Sequence, residues 1–126
     1  MNNKKKGSDF ERRFCRYLGR LGFWVHFMSP DNGGNQPFDV IAVRRGNAYA
    51  IDCKTSVRKV FPLSRLEDNQ MLAFQRWLDC GNTMPQIAVE YEGRVYLIPF
   101  CRLMSEEKVD LESCDFIDME DDLCEL

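Results

Sequence analysis

Two runs rich in β-formers, Phe38-Asp39-Val40-Ile41-Ala42-Val43-Arg44 and Ala48-Tyr49-Ala50-Ile51-Asp52-Cys53-Lys54, flank Arg45-Gly46-Asn47. Gly46-Asn47 is a dipeptide that closes two-residue hairpins. No other stretch of the chain constrains its fold as tightly. With that turn, Arg45 pairs with Ala48, and period-2 alternation sorts the side chains. Ile41 and Val43 share the face of Asp39, Ala48 and Ala50 share that of Asp52, and Phe38, Val40, Tyr49, Ile51 and Cys53 take the other side. Both faces are largely apolar. Such strands belong in the middle of a sheet covered by helices on two sides, with any charged residues at one end.

Counting outward from the turn sets Asp39 opposite Lys54 and one diagonal step from Asp52, close enough to share a ligand. Two carboxylates so near one another repel, so a positive group has to compensate them, and a divalent cation is the natural candidate. The plain alternative is that both carboxylates sit at strand ends in water, with Lys54 paired to one of them.

The rest of the chain reads as alternating helix and strand. Ser8 can cap a helix carrying Phe10, Phe14, Leu18 and Leu21, and Gly22 ends it. Strands are expected at Phe23–Met28 and, as a hairpin around Glu92-Gly93, at Gln86–Tyr91 and Arg94–Phe100. A helix from about Leu66 to Cys80 is expected to bury Leu72, Trp77 and Leu78. Residues 29–37 are dense in turn formers and long for a simple connection, which hints at function. With 126 residues, no repeat and no linker, one domain spanning 1–126 is expected.

Six cysteines without a C-x-x-C pair, and the single His26 in an expected strand, argue against a zinc site and for free thiols in a reducing compartment. No apolar run approaches membrane-spanning length and no signal-like segment follows the N-terminal lysines, so a soluble, cytoplasmic protein is expected. The net charge of −3 conceals an asymmetry. Residues 1–104 hold 16 Lys and Arg against 10 Asp and Glu, whereas residues 105–126 hold 10 acidic residues and only Lys108. A basic body, with Lys4, Lys5 and Lys6 on a flexible stretch 1–7, suits a polyanion such as DNA; the alternative is cations that merely solvate the surface. The acidic segment 105–126 carries Val109, Leu111, Phe116, Ile117, Met119, Leu123 and Leu126, which favour a terminal strand and short helix packed on the domain.

The order of these elements, with Glu on the first helix, Asp on the second strand and Asp-x-Lys on the third, resembles the PD-(D/E)XK nuclease superfamily. Within it, Lys6-Gly7-Ser8, Glu11-Arg12, Gly22-Phe23-Trp24-Val25, Phe38-Asp39-Val40-Ile41-Ala42 and Ile51-Asp52-Cys53-Lys54 resemble archaeal-type Holliday junction resolvases. The likeness continues through Gln70 and Leu97-Ile98-Pro99-Phe100. Two positions depart from the pattern: proline stands one residue early, in Pro37-Phe38-Asp39, and Asp52 replaces the usual Glu of E-x-K. The resemblance implies an α/β fold with a restriction-endonuclease-like central mixed sheet flanked by helices. It also implies a metal-dependent, structure-specific DNA endonuclease, in the first place a Holliday junction resolvase. A flap-, end- or nick-directed nuclease of the same fold, a DNA-binding module with a decayed site, and an adaptor using its acidic tail are the alternatives.

By the same resemblance, Asp39, Asp52, the Cys53 backbone carbonyl and Glu11 hold Mg²⁺, with Mn²⁺ as the alternative, Lys54 orients or deprotonates the attacking water, and Gln70 is functional. Glu11 has a second reading, since Ser8 and Glu11 fit an S-x-x-E capping box. Lys4, Lys5, Lys6, Arg12, Arg13, Arg58 and Lys59 are expected to grip phosphates, and Ser29 to touch the scissile one. A homodimer acting on four-way DNA junctions, away from membranes, completes the expectation.

Overall fold

The structure, a computed structural model, describes residues 3–28 and 36–119. Its elements are α1 (Asn3–Arg20), β1 (Trp24–Phe27), β2 (Val40–Arg44), β3 (Asn47–Thr55), β4 (Val60–Pro62), α2 (Asp68–Asp79), β5 (Gln86–Tyr91), β6 (Arg94–Pro99), α3 (Phe100–Glu106), β7 (Lys108–Asp110) and β8 (Asp115–Ile117), with single 3₁₀ turns at Leu63–Arg65 and Leu111–Ser113. Six strands form one sheet in the order β1-β2-β3-β5-β6-β8, and β4 pairs with β7 in a small second sheet. Only β3 and β5 run parallel; the other neighbours are antiparallel. This is the expected mixed sheet between helices.

The central position of the hairpin follows from its two apolar faces. Val40, Ala42, Ile51 and Cys53 pack beneath α1 with Phe10, Phe14, Tyr17 and Leu18. Ala50, with Ile41 beside it, faces the opposite core, where Phe61, Phe74, Ile87, Val89, Ile98 and Phe100 are buried. Phe38 joins that second core, stacking 5.6 Å from Phe74 and edge-on to Trp77. It was expected beside Val40; because β2 begins only at Val40, strand alternation does not extend back to it.

The hairpin turn differs from the expectation. Arg44 pairs with Asn47, so the turn residues are Arg45 and Gly46, not Gly46 and Asn47. Both have positive φ, 54° and 80°, as a type I′ turn demands. The β5–β6 hairpin repeats the arrangement with Glu92 at 50° and Gly93 at 78°. Glycine takes the second central position in both. An arginine in the left-handed region is strained, so Arg45→Asn, which makes an Asn-Gly turn, should stabilise the protein by about 0.5–1 kcal/mol. The urea midpoint reports it, and an unchanged or lower midpoint refutes it.

Other boundaries moved too. The first helix already runs at Asn3, the first described residue, so Ser8 lies inside it and the S-x-x-E capping reading of Glu11 fails. Leu72 points outward, 53 % exposed, while Phe74 supplies the buried anchor of α2. In the acidic segment Val109 and Leu111 are fully buried and Met119 nearly so, Phe116 is half exposed, and Leu123 and Leu126 lie outside the described residues.

Candidate active site

Because the turn sits one residue earlier than expected, the ladder runs Val40↔Ile51, and its continuation sets Asp39 across from Asp52 rather than Lys54. The pairing partner moves by two residues, which preserves the face. Both carboxylates therefore meet more directly than the sequence suggested. Asp39 is 6 % exposed and Asp52 is fully buried.

Each carboxylate has one oxygen fixed by the protein. The Cys53 backbone N–H donates to Asp39 Oδ2 at 2.8 Å, and Gln70 Nε2 donates to Asp52 Oδ1 at 2.9 Å. Gln70 is itself locked, its Oε1 accepting from the Glu67 backbone N–H at 3.1 Å at the start of α2 and from Lys54 Nζ at 3.4 Å. The Lys54 ammonium lies 3.2 Å from Asp52 Oδ2 as an ion pair. That oxygen nevertheless has no hydrogen-bond partner among the described residues, although it is buried.

Electrostatics gather the remaining members. Burial, then the charge of Asp39, push the Glu11 carboxyl up to about 7, against the pull of Lys54. Glu11, partly buried on α1, is thus near enough to feel the charges of both groups. Burial and the charge of Asp39 likewise raise Asp52 well above the usual carboxylate range. Cys53 is buried behind the carboxylates, and burial with the neighbouring charges raises its thiol; Cys15, next to Glu11, is raised to about 11. Neither is a nucleophile at neutral pH.

The donor set suits a hard divalent cation. No three His, Cys, Asp or Glu side chains converge as a ready-made cluster among the described residues. Two facing carboxylates do, one with a buried oxygen met, among the described residues, only by the Lys54 ammonium, and Mg²⁺ is commonly held by one or two carboxylates while keeping several waters. Raised carboxyl values also carry a sign. The contribution of Glu11 to metal-free stability is complete below its ordinary value of 4.5 and is lost as pH rises through about 7. In EDTA the melting temperature should therefore fall between pH 5.5 and 8 by about 3 °C more in the wild type than in Glu11→Gln, allowing for screening of a partly exposed group. Mg²⁺ should restore more at pH 8 than at pH 5.5. Equal slopes in the two proteins would contradict this.

The phosphate-gripping candidates divide. Lys4, Lys5 and Lys6 belong to the opening turns of α1. Arg12 is exposed beside Glu11, and Arg58 is exposed on the turn after β3. Ser56 Oγ shapes that turn by accepting from the Arg58 N–H at 3.1 Å and donating to its carbonyl at 2.7 Å. Lys59 is half exposed and shared with Asp110 at 3.5 Å and Glu112 at 3.9 Å. Arg13 is engaged by Glu90. Ser29 lies outside the described residues. Glu67 and Glu90 escaped sequence reasoning; Glu67 caps α2 in a capping box with Gln70, whose three-residue spacing could have signalled it, whereas Glu90 meets a partner 77 residues away, which no local spacing signals.

A mixed sheet between helices, with Asp39 and Asp52-x-Lys54 at one end of adjacent central strands, defines the PD-(D/E)XK nuclease class. A family model described as archaeal Holliday junction resolvase (Hjc) matches residues 2–125. The crossover junction endodeoxyribonuclease Hjc of Methanocaldococcus jannaschii is 30 % identical over 97 residues, covering 76 % of this chain and 68 % of the relative. The structure of Hjc from Archaeoglobus fulgidus, a Holliday junction resolvase, superposes with a TM-score of 0.66 at 18 % identity, over 84 % of this chain and 89 % of that one, and shares the fold. The chain belongs to the archaeal Holliday junction resolvase (Hjc) family.

Proposed function

We propose that this protein is a metal-dependent endonuclease that resolves four-way DNA junctions, with Asp39, Asp52 and Lys54 at its centre. The observation that carries the reading is the buried Asp52 Oδ2, left without a hydrogen bond opposite a second carboxylate and 3.2 Å from the Lys54 ammonium. Asp39, Asp52, the Cys53 carbonyl and Glu11 would hold Mg²⁺, or Mn²⁺. When bound, the cation neutralises charge on the non-bridging phosphate oxygens and lowers the pKa of a bound water.

The protein's own groups supply the rest. Gln70 takes Asp52 Oδ1 and leaves Oδ2 for the cation; the Cys53 amide does the same for Asp39 through Oδ2. Lys54, held by Asp52 and Gln70, presents Nζ to the attacking water and to the charge that grows in the transition state. Lys4, Lys5, Lys6 and Arg12 belong to the first ten residues of α1, and Arg58 and Lys59 to the turn after β3, where they can bind phosphates without reading bases. Ser29 is included as a contact to the scissile phosphate. Recognition then depends on DNA shape.

A junction has two equivalent strands to cut, so a two-fold homodimer matches its symmetry. The groove beside α2, lined by Phe38, Leu72, Ala73 and Trp77, offers an apolar face for the second copy. No helix among the described residues is long and apolar enough to cross a membrane, and a cytoplasmic location goes with this reading. The test is incubation with a labelled four-way junction and the matching linear duplex, in Mg²⁺ or EDTA. Paired symmetric nicks on the junction alone, lost in EDTA, are expected. Equal cutting of both substrates would make the protein a general nuclease, and binding without cutting would make it a decayed module.

A further inference from the structure

The geometry points to Arg13 and Glu90 as a positioning pair that fixes the roll of α1 on the sheet and so aims Glu11 at Asp39 and Lys54. This rests on reading those residues as the nuclease centre. Arg13 Nη1 donates to Glu90 Oε2 at 2.7 Å and Nη2 to Oε1 at 2.9 Å. Such a two-pronged pair fixes direction as well as distance, because the guanidinium is a rigid planar fork.

Its place on the helix gives that direction a use. Phe10 and Phe14 are the buried stripe of α1. At about 100° per residue, Glu11 projects roughly 80° to one side of that stripe and Arg13 roughly 80° to the other. Arg13 reaches Glu90 on β5, which leaves Glu11 on the opposite side of the stripe, where the charges of Asp39 and Lys54 act on it. Rolling the helix to loosen one contact displaces the other. Glu90 also holds the strand that bears the centre, because its carbonyl accepts from the Ser56 N–H at 2.9 Å and it pairs with Thr55, next to Lys54. One residue thus ties the helix carrying Glu11 to the strand carrying Asp52 and Lys54.

The pair is partly exposed, at 43 % for Arg13 and 23 % for Glu90. Exposed ion pairs add little to stability, so its effect is angular, and small displacements of catalytic groups cost up to about 100-fold in rate. The competing role for Arg13 is a phosphate contact. The two differ in what lysine does: Lys serves as a phosphate-binding point charge but lacks the fork.

The experiment measures single-turnover junction cleavage in Mg²⁺, and junction affinity against salt in EDTA, for the wild type, Arg13→Ala, Arg13→Lys, Glu90→Ala, Glu11→Gln and Arg13→Ala/Glu11→Gln. Arg13→Ala and Glu90→Ala should each slow cleavage about 10–100-fold, with affinity, its salt slope and the melting temperature close to wild type. Arg13→Lys should lose most of the rate. In the Glu11→Gln background Arg13→Ala should add nothing further, since both changes disable one contact. A salt slope reduced by about one in Arg13→Ala, with Arg13→Lys and Glu90→Ala unaffected, makes Arg13 a phosphate contact and overturns the inference. Additive losses with Glu11→Gln overturn it too, leaving the pair merely structural. A wild type that does not cut the junction removes the nuclease reading and the inference together. A wild type that cuts while both alanine variants match it removes the pair alone.

Discussion

Asp52→Asn is expected to lower junction cleavage by about 10³-fold or more while raising the melting temperature of the metal-free protein at pH 8. The loss arises because asparagine keeps the oxygen that Gln70 holds but replaces the orphan Oδ2 with an amide that cannot bind a cation. The gain arises because the folded protein resists ionising this buried carboxyl beside Asp39, an effect that outweighs the ion pair with Lys54. Stability from a group with a raised value is present at low pH and lost as pH rises, and asparagine imitates the protonated form at every pH. The site therefore stores destabilisation that a bound cation would relieve. Labelled-junction cleavage in Mg²⁺ and thermal melting in EDTA check both halves. Cleavage within tenfold of wild type would remove Asp52 from the centre, and a lower melting temperature would show that the Lys54 pair dominates.

Lys54→Ala should also cost about 10³-fold in cleavage, yet move stability the opposite way. Its ammonium is the positive partner of a fully buried carboxylate, and removing one member of such a pair costs about 3 kcal/mol, or about 10 °C in a domain of this size. Because the penalty is the unpaired charge of Asp52, Asp52→Asn/Lys54→Ala should recover most of it, a coupling that a double-mutant cycle measures directly in EDTA. If the two changes add, Lys54 stabilises through packing of its stem and not through charge. Opposite signs for two neighbours with the same catalytic penalty would be hard to obtain from a surface cluster, and so these melts also discriminate against the reading of both carboxylates in water.

Particular residues show how much was legible beforehand. The hairpin announced itself because its composition, alternation and turn dipeptide agree, and alternation alone put Asp39, Asp52 and Lys54 on one face. Its register did not, since Arg45-Gly46 and Gly46-Asn47 both offer a glycine to a two-residue turn, and only the ladder from Arg44↔Asn47 to Val40↔Ile51 selects between them. Gln70 came from family resemblance, but its job of holding Asp52, Lys54 and the Glu67 amide at once was invisible until α2 lay on the sheet. Glu11 looked like a helix cap because Ser8 stands three residues before it; the helix instead already runs at Asn3, which puts Ser8 in its interior.

The sequence by itself determined the class of fold, the central hairpin and the chemistry available at its end, because these depend on short-range alternation, turn propensity and residue type. Tertiary structure alone decided that Asp39 confronts Asp52, that one oxygen of Asp52 is left over, and that Arg13 closes on Glu90 across 77 residues. The first follows from the register of the hairpin, and the others from the packing of α1 and α2 onto opposite faces of one sheet. Packing joins residues according to distance in space, and distances of that kind leave no period in the chain.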